Sequence, residues 1–183
     1  MTALDFFAKW RVRLGYLLGV AALWLSRPAP KAILVGALVG SIGLAIRAYA
    51  AGVLHKQEIL TMSGPYAYTR NPLYFGSSFL AVGAALAMRS WWAAAIVLVY
   101  FAMVYTFVMR REEMELRAGH GAAFDEYAKT VPLFFPHFTA AKLANGSAGF
   151  SAAQYKKNHE YQAAVGFLLL LVVLTAICWL RAH

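Results

Sequence analysis

The sequence predicts an all-α integral membrane protein of about five transmembrane helices, and three observations predict it. Hydrophobic residues make up 61% of the chain, where a soluble domain carries about 45–50%. Charged residues make up only 14%, against about 25% in soluble domains. The apolar residues also gather into runs of membrane-crossing length, with most of the charge in the segments between them.

Four runs read as spans: about 31–54, 73–88, 91–109 and 163–180. A helix rises about 1.5 Å per residue, so about 17–25 residues cross the hydrocarbon. A fifth run, 14–25, is short. Either Trp10, Arg11, Arg13 and Trp24 anchor it as a span at the two interfaces, or it lies in the interface plane. Only Arg89 and Ser90 separate the third and fourth spans, so residues 73–109 form a tight antiparallel hairpin. The first apolar run has no small-residue cleavage site behind it, so no cleaved signal peptide is expected. The whole chain, 1–183, reads as one transmembrane domain: a motif core over 64–136, a linker over 137–162 and the final span.

With five spans, twelve of the 17 lysines and arginines fall on one side of the membrane. Arg27, Lys31, Arg89 and Arg181 fall on the other, and Arg47 lies inside the second span. Cationic loops stay cytoplasmic, which puts the amino terminus and the polar segments 55–72 and 110–162 inside and the carboxyl terminus outside. The expected location is the cytoplasmic membrane. The net charge of +9 is loop charge suited to anionic lipid headgroups. No soluble domain remains to present a basic face to nucleic acid. The single cysteine, Cys178, excludes an internal disulfide and sits in an apolar run, where packing is its role. Asn145-Gly-Ser147 matches a glycosylation acceptor but falls on the cytoplasmic side, so it is set aside.

Between the second and third spans stands SGPYAYTRNPLYFG, residues 63–76. Gly64-Pro65 signals a turn, and Asn71-Pro72 a helix start, because Asn caps helices and Pro favours their first position. Tyr66, Tyr68, Arg70 and Tyr74 admit two readings: an aromatic belt with a phosphate anchor, or part of a site. The segment RREEMEL, 110–116, begins where the fourth span ends. Its adjacent Glu112 and Glu113 either pair with Arg110, Arg111 and Arg117, Glu113 and Arg117 being four apart on one helix face, or serve a function. The short hairpin returns the glutamates to the side of Asn71-Pro72. Two helix ends then frame one pocket, with carboxylates on one wall and aromatics and helix-start amides on the other. Such a pocket suits a ligand with a positive centre, an anionic end and an aromatic ring. S-adenosylmethionine combines all three.

These residues resemble the isoprenylcysteine carboxyl methyltransferases and the related phospholipid N-methyltransferases. The family pattern G-P-Y-x-Y-x-R-[HN]-P-x-Y-x-G is met by GPYAYTRNPLYFG from Gly64. After a helical hairpin, the E-E-x-x-L … G-x-x-[YF]-x-x-Y-x-x-x-V-P pattern is met by EEMELRAGHGAAFDEYAKTVPLFFP from Glu112. The resemblance covers about 64–136 and implies a helical membrane methyltransferase. Such an enzyme binds S-adenosylmethionine at the cytoplasmic face and admits a lipid or lipidated substrate from the bilayer. It implies that Arg70, Asn71 and Tyr74 are catalytic, and that Gly64, Tyr66, Tyr68, Arg70, Asn71, Pro72, Tyr74, Glu112, Glu113 and Tyr127 hold the cofactor. Gly121, Tyr127 and Pro132 fall on the segment that closes the pocket, and Tyr66 and Tyr68 are expected at the lip between pocket and bilayer. Asn71 stands where the eukaryotic carboxyl methyltransferases have His, so a role that needs a titratable imidazole is ruled out. Residues 137–183 add a linker and a span beyond the usual closing Pro.

Arg47 and Arg117 are candidate substrate-binding residues. Arg47 is costly inside a span, by about 2.5–3.5 kcal/mol at the helix centre, and either snorkels or faces a cavity. Gly36, Gly40 and Gly43 give the second span a small-residue face, better suited to packing within the chain than to dimerisation. Gly76, Ser77, Ser78 and Gly83 thin one face of the third. His120 and His137 lack partners at metal-ligand spacing, so no metal is expected. For the reaction, O-methylation of a carboxylate as in isoprenylcysteine carboxyl methyltransferase is favoured over N-methylation of a phospholipid amine. The competing readings are a sterol-reductase-like enzyme using a nicotinamide cofactor, and a non-enzymatic membrane scaffold.

Overall fold

The computed structural model describes residues 3–55, 59–141 and 149–182, with side chains from residue 13 onward. The side chains of Lys9, Trp10 and Arg11, and residues Lys56, Lys142, Asn145–Ser147 and His183, lie outside the described residues. Among the described residues seven helices follow one another: α1 (Ala3–Leu25), α2 (Pro30–Val53), α3 (Pro72–Met88), α4 (Trp91–His120), α5 (Ala122–Thr130), α6 (Ala152–Lys157) and α7 (Tyr161–Leu180). A 3₁₀ turn, Gly64–Ala67, lies between α2 and α3. No strand occurs among the described residues. Helix α2, α4 and α7 are long and apolar enough to cross a membrane. Helix α3, at 17 residues, and the Arg13–Leu25 stretch of the 23-residue α1 are also apolar. Together these helices make an all-α integral membrane protein.

The chain divides into two compact units. The first comprises Met1–Ser41, Ser78–Val108 and Gly166–His183. Its core is made of small and aliphatic residues: Ala22, Ala87, Met88, Ala93 and Leu174 are buried, with Ile33, Ile96 and Leu170 against them. Glycines set how closely its helices approach. A Cβ on Gly36 would run into the Gly83 carbonyl and meet Ala87 Cβ at 2.7 Å, so α2 and α3 touch backbone to backbone. The small-residue face of α2 is thus spent inside the chain. Gly40 seats the Phe167 ring. The hairpin closes as its sequence implies: Arg89 takes φ 48°, and Ser90 caps α4 by accepting from Ala93 N at 3.4 Å. Arg181 donates to the Ser26 and Trp24 carbonyls, which satisfies acceptors at the carboxyl end of α1. Outward stand Leu17, Val20, Trp24, Leu34, Leu38, Trp91, Leu168 and Val172, an apolar surface suited to lipid.

The second unit comprises Ile42–Ser77 and Met109–Val165. It carries a smaller core of Leu60, Phe124, Tyr127 and Val131 and nearly all the residues singled out from the motifs. Gly64 at φ 58° and Gly121 at φ 51° occupy left-handed conformations that favour glycine. The first starts the 3₁₀ turn and the second bends the chain from α4 into α5.

Candidate active site

The site lies within the second unit and is built on the start of α3. Pro72 is the first residue of α3, and Phe75 N donates to the Asn71 carbonyl at 3.0 Å, so Asn71-Pro72 starts the helix as its chemistry predicts. The Asn71 side chain is occupied elsewhere: its amide donates to the Leu133 carbonyl at 2.9 Å. That bond belongs to a set which pins 131–141 along 66–71. Arg70 N donates to Pro132 O at 2.9 Å, His137 N to Tyr68 O at 2.9 Å and Ala141 N to Ala67 O at 3.0 Å. The buried Thr69 hydroxyl donates to Phe134 O at 2.9 Å, and the Tyr127 phenol to Tyr66 O at 2.8 Å. The motif segment is therefore held from behind by the segment that follows α5.

With its backbone fixed, the segment presents polar side chains to the end of α4. Arg70 Nη1 donates to Glu113 Oε1, in a pair whose side chains are 13% and 14% exposed. The Tyr74 phenol donates to Glu112 Oε1 at 2.5 Å. Arg110 adds a longer contact to Glu113, at 3.9 Å. Both adjacent glutamates are thus taken up by the motif segment, one by a guanidinium and one by a phenol. Of the pairings that one reading offered Glu113, the contact with Arg110 is formed and that with Arg117 is not. Gly121 turns the chain so that α5 comes back alongside α4, and Arg117 takes Asp125 at 2.8 Å. Its guanidinium lies 5.5 Å from the centre of the Phe124 ring. Arg117 is thereby about half exposed, and it shares the Phe124 ring with the Arg70 guanidinium, which lies 5.9 Å from the ring centre.

Arg47 is paired. Its Nε donates to Glu160 Oε1 at 2.5 Å, and its Nη1 donates to Ser77 Oγ and to Leu73 O, the latter at 3.2 Å. Snorkelling is not needed, because a buried carboxylate meets the charge. Glu160 and Ser77 are the residues that sequence reasoning missed as a cluster. The available signal was a lone acid after Lys156 and Lys157, immediately before the last apolar run.

Among the described residues, two buried side-chain polar atoms have no protein partner: the Tyr66 hydroxyl and Arg70 Nε. Tyr66 is 6% exposed, so it lies inside the unit and not at a lip; Tyr68 is exposed. Burial raises the Tyr66 phenol well above its ordinary range, and the neighbouring Tyr127, Glu112, Glu160 and Tyr74 add to the effect. Burial raises Tyr127 too, against a partial lowering by Arg70. Both phenols stay protonated at neutral pH. Tyr127 has used its proton on the Tyr66 backbone; Tyr66 has not used its own. Gly64, Pro72 and Tyr127 contribute by shaping the backbone around the site.

Residues 11–122 match the phospholipid methyltransferase family. The chain is similar to the nickel-cobalt-cadmium resistance protein NccN of Alcaligenes xylosoxydans xylosoxydans, 32% identical over 63% of this chain and 54% of that protein. It is also similar to the cobalt-zinc-cadmium resistance protein CzcN of Cupriavidus metallidurans, 28% identical over 90% of this chain and 77% of that protein. The chain spans about half the length of the first of these relatives. No solved structure matches it significantly. With well over half of its residues matched, the chain belongs to the phospholipid methyltransferase family.

Proposed function

We propose, with that membership as premise, that the chain transfers a methyl group from S-adenosylmethionine to a lipid or lipidated acceptor held in the bilayer. The observation that carries the reading is the joining of the α3 start to the α4 end. Arg70 meets Glu113 and Tyr74 meets Glu112, beside two buried donors that lack partners. An unpaired buried donor costs about 1–3 kcal/mol, which a bound ligand with acceptor atoms would recover.

The residues fit the cofactor on this ground. Glu112 and Glu113 would hold its cationic end, with a Coulomb attraction strengthened by their low exposure. Arg70 Nε, buried without a partner, would donate to its oxygens. The cofactor supplies an activated methyl group, so the protein's work is to position the reactants and exclude water. The Tyr74 phenol and the Arg70 guanidinium orient the two carboxylates. The segment pinned through Leu133, Phe134 and His137 keeps Arg70 and Tyr74 in register. No strong base is needed for a carboxylate or thiolate acceptor, which favours O-methylation of a lipidated carboxylate; an amine acceptor must first lose a proton.

The proposal includes the cytoplasmic membrane as location, with the amino terminus and the site facing the cytoplasm and anionic headgroups against the basic loops. The names of the two relatives attach them to metal resistance. In such a setting the reading is action on a membrane acceptor. Among the described residues no three His, Cys, Asp or Glu side chains come together to hold an ion.

The test is incubation of purified protein with methyl-labelled S-adenosylmethionine and extracted membrane lipids. Label in the lipid fraction is expected. No label, together with no cofactor binding by calorimetry, would overturn the proposal.

A further inference from the structure

Three polar contacts succeed one another along the start of α3. Arg70 meets Glu113, Tyr74 meets Glu112 and Ser77 meets Arg47, which in turn holds Glu160. Tyr74 and Ser77 share one face of α3, and Arg70 stands two residues before its start. The third contact lies furthest into the apolar helix, about one turn beyond Tyr74. It also differs in origin. Glu160 lies outside the family match, which ends at residue 122, and outside the motif resemblance.

The chain spends many bonds on placing Glu160. Ser151 N donates to Gly52 O at 2.9 Å, Gln154 Nε2 to Leu54 O at 2.5 Å, and Asn158 Nδ2 to Ala51 O and Leu54 O at 2.8 and 2.9 Å. Residues 151–158 thereby cap the orphan carbonyls at the end of α2. His159 then takes φ 54°, an uncommon conformation for a residue other than glycine, and the next residue is Glu160. On the facing helix, a Cβ at Gly76 would meet Arg47 Cγ at 2.6 Å and the Gly43 carbonyl at 2.9 Å. Only glycine there lets the Arg47 stem lie against α3. Close by stands the buried, partnerless Tyr66 hydroxyl. The charges that act on it are those of Glu112 and Glu160, with the phenols of Tyr127 and Tyr74 also acting.

We propose that Glu160, supplied by the carboxyl-terminal segment beyond the family match, is a positioning residue for the acceptor side of the site. Through Arg47 it fixes the deepest contact on α3 and leaves the Tyr66 hydroxyl as the donor for the acceptor headgroup. The inference rests on the methyl-transfer reading. Glu112 and Glu113 serve the cofactor. A lipid acceptor that comes from the bilayer meets the contact furthest into the apolar helix first. Arg47, neutralised by Glu160, orders that wall without presenting an uncompensated charge.

The experiment uses the full chain in detergent micelles, and compares wild type with Glu160→Gln, Glu160→Asp and the double variant Arg47→Met/Glu160→Met. Readouts are the thermal midpoint, the S-adenosylmethionine Kd by calorimetry, and the apparent KM and kcat for a total membrane lipid extract. The double variant removes both charges at similar volume, so it avoids an unpaired buried ion and keeps the fold. The proposal expects it to regain the midpoint lost in Glu160→Gln while its apparent acceptor KM stays raised about tenfold, with the cofactor Kd within about twofold of wild type. Glu160→Asp is expected to rescue KM in part. A folded double variant with wild-type acceptor KM overturns the proposal and leaves the methyl-transfer reading standing. So does a cofactor Kd that worsens as much as the acceptor KM. A wild-type protein that neither binds S-adenosylmethionine nor labels lipid takes both down.

Discussion

The Arg70 guanidinium donates to the Glu113 carboxylate across 43 residues of sequence, joining the entry of one helix to the exit of the next. In a pair this little exposed, removing one partner strands a charge, at a cost of about 3–5 kcal/mol. Glu113→Ala is expected to lower the thermal midpoint in detergent and to lose S-adenosylmethionine binding by calorimetry. Arg70→Ala should lose the binding as well, while tryptophan fluorescence still reports a folded chain. Undiminished binding in both variants would remove these residues from the site.

The glycines of the helix crossings give a contrast within one residue type. At Gly36 the atoms in the way are backbone and the Ala87 Cβ, neither of which can swing aside. Gly36→Ala should destabilise by about 1–3 kcal/mol through overpacking. Gly119 has nothing within 4 Å of an added Cβ and lies in α4. Gly119→Ala should be neutral or stabilise by up to about 1 kcal/mol, from helix propensity. Detergent melts of the two variants side by side check both signs.

The two buried phenols set an alkaline limit. Tyr66 and Tyr127 are both raised above the ordinary phenol value of 10.0, so above that pH the folded state binds more protons than the unfolded. The stabilisation is fully present below pH 10.0 and declines as pH rises past it toward the folded values. Phenolate absorbance should show these two tyrosines titrating above the ordinary phenol value of 10.0. Tyr127→Phe should flatten the alkaline loss and cost about 1 kcal/mol at neutral pH for the bond to Tyr66 O.

Arg117 offers the opposite case. Its ion pair with Asp125 is about half exposed on both sides, and such pairs contribute about 0–1 kcal/mol. Arg117→Ala should shift the melting midpoint little. As the proposed second substrate-binding arginine, it is expected to alter the acceptor KM alone. An unchanged KM with Arg117→Ala would withdraw that role.

Much of this was legible in one dimension, because apolar run length and turn chemistry are local. Pro72 starts α3 and Gly64 starts the 3₁₀ turn where their backbone preferences require. The paired glutamates declared themselves by sitting together at the end of an apolar run. Tyr66 and Tyr68 could not be told apart, since two tyrosines two positions apart carry the same local signal. Only the packing of α5 against the turn buries one and leaves the other exposed.

By itself, the sequence determined a membrane-embedded helical chain, the start of α3 and the motif that joins it to a family. Those features depend on hydrophobic period, caps and residue type within a few positions. The tertiary structure decided the partners of the charges. Arg47 met Glu160 from 113 residues away, and Glu113 took Arg70 in preference to the nearer Arg117. A buried charge goes to whichever opposite charge the fold brings within hydrogen-bond distance in a dry setting, and no local spacing rule carries that information.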